Sequence, residues 1–118
     1  MKTILVVEDT EMNIDLITQL LEDDYHLIIA RDGAQGVAMA NEKKPDLILM
    51  DISLPIMDGY AATRKIRETL TTTPIIGLSA HAMGGHDLKA KEAGCNDYLT
   101  KPINDEILFK TLNQYLGE

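Results

Sequence analysis

The chain of 118 residues has no tryptophan, a single phenylalanine and a single cysteine. A lone Cys95 excludes an internal disulfide and a cysteine-rich zinc site, and leaves the residue the role of a small buried side chain. With so few aromatics there is no set of rings on which bases could stack. Basic residues are also in deficit, 11 Lys and Arg against 19 Asp and Glu, for a net charge of -8. They are scattered along the chain, so no basic stripe exists to neutralise phosphates, and nucleic acid is excluded as a direct partner. An acidic surface is compatible with solubility and with basic or metal partners, but selects neither. No apolar run approaches the roughly 20 residues that span a bilayer. The run Ile4 to Val7 begins like a signal peptide, but Glu8 and Asp9 end it too early for an apolar h-region. A cytoplasmic chain with no membrane association is expected. The length suits one domain, and a hydrophobic content of 45% is enough for a core without staples.

What the chain does have is a series of short apolar runs without alternation. The clearest is Leu47-Ile48-Leu49-Met50, ending in Asp51, with Pro45 before it and Pro55 after it. Such a run reads as a strand buried on both faces. Its carboxyl end, where Asp51 stands, emerges at the edge where open α/β sheets bind ligands, at the rim of the core. Ile4 to Val7, Leu27 to Ala30, Ile75 to Ala80 and Asp97 to Thr100 supply four more strands. Between them lie helices. Thr10 offers an N-cap for a helix over roughly 11–22 with Leu16, Ile17, Leu20 and Leu21 as its stripe. Ala34, Val37 and Ala38 mark a weaker helix to about Asn41. Asp58 caps a helix with Ala62, Ile66 and Leu70 on one stripe. A helix over 81–94 is expected to be weakened by Gly84 and Gly85, or to begin as a loop. Asn104 caps a last helix with Leu108, Leu112, Tyr115 and Leu116 inward. Strict alternation of this kind predicts an α/β fold, a doubly wound five-stranded parallel sheet with helices on both faces.

In a parallel sheet the strand ends lie on one edge. The first strand ends in Glu8-Asp9, the third in Asp51 and the fourth in Ser79, and Lys101 follows the fifth. Singly, each has a bland reading: solvated acids, a turn cap, a strand-end hydroxyl, a surface lysine. All of them being bland at once, on one edge, is a much poorer account. Carboxylates about 4 Å apart repel by roughly 1–4 kcal/mol per pair and call for a cation. Carboxylates, carbonyls and water form a hard oxygen site that suits Mg2+. With a lysine and a hydroxyl nearby, the pocket fits a phosphoryl group, and an Asp could be the nucleophile that receives it.

Four segments resemble the receiver domains of two-component response regulators: Val7-Glu8-Asp9-Thr10-Glu11-Met12-Asn13, the stretch from Met50 to Gly59, Gly77-Leu78-Ser79-Ala80, and the stretch from Ala93 to Pro102. The resemblance covers the whole chain. It implies a flavodoxin-like (βα)5 fold with strand order 2-1-3-4-5. It implies that Asp51 is the phosphoacceptor, supplied by a phosphohistidine on a histidine kinase or histidine phosphotransfer protein. Asp9 and Asp51 would ligate Mg2+ directly, Glu8 through water, and the Ser53 backbone carbonyl would complete the set. Lys101 would pair with phosphoryl oxygens, Pro102 would follow a cis peptide bond, and Ser79 would hydrogen-bond the phosphoryl group. Ser79 and the aromatic switch residue Tyr98 would move together and alter the surface of helix four, strand five and helix five, which binds a downstream protein target. The chain departs from the family in having Glu-Asp where Asp-Asp is commoner, and Ser79 where Thr is more frequent. Ser53 and His81 stand where the family tunes phosphoryl lifetime.

The expected function is therefore a single-domain response regulator, a signalling switch that assists only its own phosphorylation and dephosphorylation. No output domain is expected after the last helix of residues 1–118. A monomer, or a weak dimer that depends on phosphorylation, is expected. The alternatives are a receiver cut from a hybrid kinase and a scaffolding receiver that is never phosphorylated. A flavodoxin-like mononucleotide binder is disfavoured because Glu8-Asp9-Thr10-Glu11 would repel phosphate. A haloacid-dehalogenase-type phosphatase needs an acid where Ser53 stands. A calcium loop at Asp9 fails at Ile14, where glycine is required.

Overall fold

Non-alternating apolar strands need cover on both faces, and the intervening helices provide it. The computed structural model describes residues 1–54, 57–79 and 86–117. Its elements are β1 (Thr3–Val7), α1 (Glu11–Leu21), β2 (His26–Ala30), α2 (Gly33–Lys43), β3 (Leu47–Asp51), α3 (Gly59–Arg67), β4 (Ile75–Ser79), α4 (His86–Ala93), β5 (Asp97–Thr100) and α5 (Asp105–Leu116). Every strand pairing is parallel, and the order is β2-β1-β3-β4-β5. The predicted doubly wound five-stranded sheet is the observed one.

Strand residues divide alternately between two cores. Ile4 and Val6 of β1 and Leu47 and Leu49 of β3 meet Ile17 and Leu21 of α1 and Leu108, Leu112 and Leu116 of α5. Leu5, Val7, Ile48 and Met50 face the opposite way, toward Ala40 of α2, Ala62 and Ile66 of α3, and Ala90 of α4. β3 is the middle strand and all of Leu47 to Met50 is fully buried.

Local signals set the helix starts. Asp58 Oδ1 accepts from Ala61 N at 2.9 Å and Asn104 Oδ1 from Ile107 N at 3.1 Å, as their sequence positions predict. Asp32 Oδ1 also caps α2, accepting from Gln35 N at 2.7 Å. Thr10 occupies the N-cap position of α1 but its side chain makes no capping bond.

Some faces differ from expectation. The buried residues of α1 are Ile14, Ile17 and Leu21, while Leu16 is 38% exposed, because the helix turns its i, i+3, i+7 positions to the sheet. α2 buries Gly33, Gly36 and Ala40 in place of Ala34 and Ala38. Its contact is too close for side chains: a Cβ on Gly33 would stand 2.0 Å from Met57 O, and one on Gly36 2.9 Å from Val7 Cγ2. The readings placed on Pro55, Ile56, Ala80, His81, Gly84 and Gly85 lie outside the described residues. Among the described residues, no helix is long and apolar enough to cross a membrane.

Candidate functional site

The parallel sheet delivers its strand ends to one edge, and backbone bonds carry the order past the strands. Glu8 N donates to Ala30 O at 2.9 Å, Ile52 N to Leu78 O at 2.9 Å, and Lys101 N to Ser79 O at 2.7 Å. The residues just beyond β1, β3 and β5 are thereby fixed relative to their neighbours. Ser79 lies one residue past Leu78, the register partner of Asp51, and is itself paired with Thr100.

Glu8, Asp9 and Asp51 converge: each presents a carboxylate oxygen within 4.8 Å of the others. Asp9 is exposed, while Glu8 has no solvent exposure and Asp51 only 2%. Asp51 was expected at the rim of the core; it does end the strand, yet its side chain is buried. Lys101 Nζ stands 3.0 Å from Glu8 Oε2 and 3.2 Å from Asp51 Oδ1. Asp51 Oδ1 also accepts from Ser53 N at 3.1 Å. Glu8 Oε1 accepts from Asn13 Nδ2 at 3.1 Å and from Thr10 N at 3.3 Å. The Lys101–Pro102 peptide is cis.

The charges do not balance among these residues, since one ammonium faces three carboxylates. Burial, then the charge of Glu8, push Asp51 up to about 6, against the opposing pull of Lys101 and the Ser53 N–H. Burial opposes the charge on Lys101, but its hydrogen bond to Glu8 and the charges of Asp51 and Glu8 outweigh this and hold its pKa above the ordinary value. The donor set is all oxygen and strongly anionic, which fits a hard divalent cation. The cluster could bind such a metal.

Tyr98 lies two residues before the end of β5, half-buried and packed against the core under α3 and α4. Sequence reasoning missed two contributors to the pocket. Asn13, in the first turn of α1, holds Glu8 in place. Gly59 packs so tightly under the loop after β3 that a Cβ would stand 2.3 Å from Asp51 O. Asn13 carries a weak signal, an amide one helical turn past an acid pair; Gly59 carries a glycine directly behind a capping Asp58.

A family model described as the response regulator receiver domain matches residues 4–113. The chain belongs to this family. As a receiver domain it is a signalling switch of two-component phosphorelays, and receivers of this family interact with histidine kinases or phosphotransfer proteins. It is similar to the polar-differentiation response regulator DivK of Brucella anthropi, 37% identical over 120 residues, covering 99% of this chain and 98% of the relative. The Brucella ovis DivK is 38% identical with the same coverage. Among solved structures, the receiver domain of the sensor histidine kinase PA1611 from Pseudomonas aeruginosa superposes with a TM-score of 0.92 at 39% identity, covering 99% of this chain and 98% of that one. That structure has a magnesium ion coordinated in its active site cleft. The chemotaxis protein CheY4 of Vibrio cholerae matches with a TM-score of 0.91 at 29% identity, over 98% of both chains.

Proposed function

We propose that Asp51 accepts a phosphoryl group from a phosphohistidine on a histidine kinase or histidine phosphotransfer protein. The observation that carries this reading is the ammonium of Lys101 held 3.2 Å from Asp51 Oδ1, inside a receiver fold and beside two further acids. A carboxylate oxygen of Asp51 attacks phosphorus, and the nitrogen–phosphorus bond breaks. The electron pair leaves on the imidazole nitrogen, which takes up a proton, and an acyl phosphate remains on Asp51. With its pKa at about 6, Asp51 is mostly ionised at neutral pH and competent to attack.

Asp9 and Asp51 would hold Mg2+ directly, Glu8 through water, and the Ser53 backbone carbonyl would complete the protein's share. When bound, the ion supplies positive charge to the oxygens of the transferring group. Lys101 is poised to pair with those oxygens, because Glu8 holds its ammonium beside Asp51. The Ser79 hydroxyl, at the end of β4, would donate to a phosphoryl oxygen. These groups assist transfer to Asp51 and later hydrolysis, and in this sense the chain acts only on itself.

The added charge, about -1.5 to -2, is read by Ser79 and Tyr98, whose shift alters the α4–β5–α5 surface offered to a downstream protein target. The protein works as a cytoplasmic monomer, or as a weak dimer once phosphorylated. Transfer of labelled phosphate from a phosphorylated histidine phosphotransfer protein tests this. The label should appear on the chain and be discharged by hydroxylamine, as an acyl phosphate is. Label that resists hydroxylamine would be an ester on a hydroxyl such as Ser79 or Ser53, and would contradict the assignment to Asp51.

A further inference from the structure

Gly77 sits in the middle of β4 and is the register partner of Tyr98 on β5. Its neighbours Ile76 and Leu78 pack into the core under α1 and α5, so position 77 opens to the other face, where Ile75 packs. A Cβ there would lie 3.4 Å from Ile52 Cδ1, 3.5 Å from Cys95 Sγ and 3.6 Å from Tyr98 Cδ2. The missing side chain therefore leaves a notch with three walls, and one of them is the edge of the Tyr98 ring. An aromatic ring laid beside a cross-strand glycine covers backbone that the glycine leaves bare. The Tyr60 phenol is raised in pKa first by burial and then by the proximity of Tyr98, Cys95 and Asp58, which agrees with an inward Tyr98 ring.

The walls connect two parts of the switch. Ile52 follows Asp51 directly, and its backbone is bonded on both sides: its N–H to Leu78 O and its carbonyl to Gly59 N, each at 2.9 Å. Ile52 thereby links the chain leaving Asp51 to the notch. Tyr98 belongs to the edge strand β5. Ile52 is 5% exposed and Cys95 6%, whereas Tyr98 is only half-buried. Of the three walls, the ring is the most exposed.

We propose that Gly77 is a positioning residue of the switch: its notch sets the resting place of the Tyr98 ring and lets that ring register the position of Ile52. The second half of this inference rests on Asp51 being the phosphoacceptor; the first half does not.

The test uses protein labelled with 3-fluorotyrosine, which reports tyrosines 25, 60, 98 and 115, with Tyr98 assigned through Tyr98→Phe. In the resting protein, Gly77→Ala should leave Tyr98 at its small resting H2O/D2O isotope shift, because a Cβ makes ordinary contacts and does not displace the ring. Gly77→Val is well suited to a strand but needs the space of the ring, and should move Tyr98 to a solvent-exposed position and isotope shift. Ile52→Val, a gentle change that removes the Cδ1 wall, should also move the Tyr98 resonance. With Mg2+ and acetyl phosphate, the wild-type resonance should move as the adduct forms, whereas Gly77→Val should gain the adduct by mass with no such movement. An unchanged Tyr98 resonance in both Gly77→Val and Ile52→Val overturns the role of the notch. Adduct-dependent movement that survives in Gly77→Val overturns the coupling. A wild-type protein that forms no adduct overturns the Asp51 assignment instead, and the resting measurements still decide the role of Gly77.

Discussion

Lys101 Nζ lies 3.0 Å from Glu8 Oε2, and Glu8 has no exposure to solvent. The pair is formed between the ends of two strands that are not neighbours in the sheet. It keeps an ammonium beside Asp51. Removing the lysine strands two buried carboxylates. Lys101→Met should therefore destabilise the metal-free protein by about 3 kcal/mol, the scale for breaking a buried ion pair from one side. Urea unfolding at neutral pH checks this, and Mg2+ should restore more stability to the variant than it adds to the wild type.

Asp51 provides the opposite case. Its pKa in the folded chain is raised from 3.8 to about 6. Between those values the folded chain keeps a proton that the unfolded chain has released. The stability this confers is complete below the unfolded value and is lost as pH rises through about 6. Asp51→Asn should be as stable as the wild type at the acid end and more stable above pH 6, by about 1–3 kcal/mol at roughly 1.4 kcal/mol per unit. Denaturant unfolding across pH without Mg2+ would reveal it; a wild type that outlasts the variant above pH 6 would contradict the burial account.

The same proton competes with a cation. Mg2+ affinity, followed by titration calorimetry, should rise about tenfold per pH unit below the Asp51 pKa and level off above it. In Asp51→Asn, affinity should be lower and this dependence flattened. A steep dependence persisting in the variant would assign the proton to another group.

Gly59 ties the loop after β3 to α3. A Cβ there would stand 2.3 Å from Asp51 O and 2.6 Å from Ile52 Cα, both backbone atoms that cannot step aside. Gly59→Ala should cost about 2 kcal/mol or more, at the upper part of the range for overpacking, and should slow phosphorylation through a displaced Asp51. Equilibrium unfolding and the rate of adduct formation test the two effects.

The architecture was legible because the signals were local. Continuous apolar strands, Asp58 and Asn104 as caps, and strict alternation are all written in neighbouring residues. The shared edge of Glu8, Asp9, Asp51 and Lys101 was legible too, since a parallel sheet puts its strand ends on one side; that they converge depends on β1 and β3 being neighbours. The order itself, 2-1-3-4-5, came from resemblance; apolar runs do not encode which strand lies beside which. Helix faces were misread where packing is by absence of side chains, as at Gly33 and Gly36, since a hydrophobic stripe gives no sign of backbone in direct contact. Arg67 was missed for a related reason. It looks like a surface arginine at the end of α3, yet it donates to Gly94 O and Leu70 O at 2.9 Å and to Asn96 Oδ1 at 2.6 Å. Two of these acceptors are backbone carbonyls, whose positions no residue type announces.

Arg67 therefore carries a prediction of its own. Arg67→Met should cost about 3 kcal/mol, the scale for charge-assisted hydrogen bonds lost from part-buried acceptors. Arg67→Lys should recover little, because an ammonium cannot reach acceptors in three directions as the guanidinium fork does. Mg2+ affinity should be unchanged in both, because Arg67 lies at the end of the sheet away from Asp51.

The most direct measurement is intact mass after incubation with Mg2+ and acetyl phosphate, wild type beside Asp51→Asn. The account predicts one phosphoryl adduct that requires Mg2+, decays on standing and is absent from the variant. An adduct of the same stability in Asp51→Asn, or none in a wild type that demonstrably binds Mg2+, would contradict it.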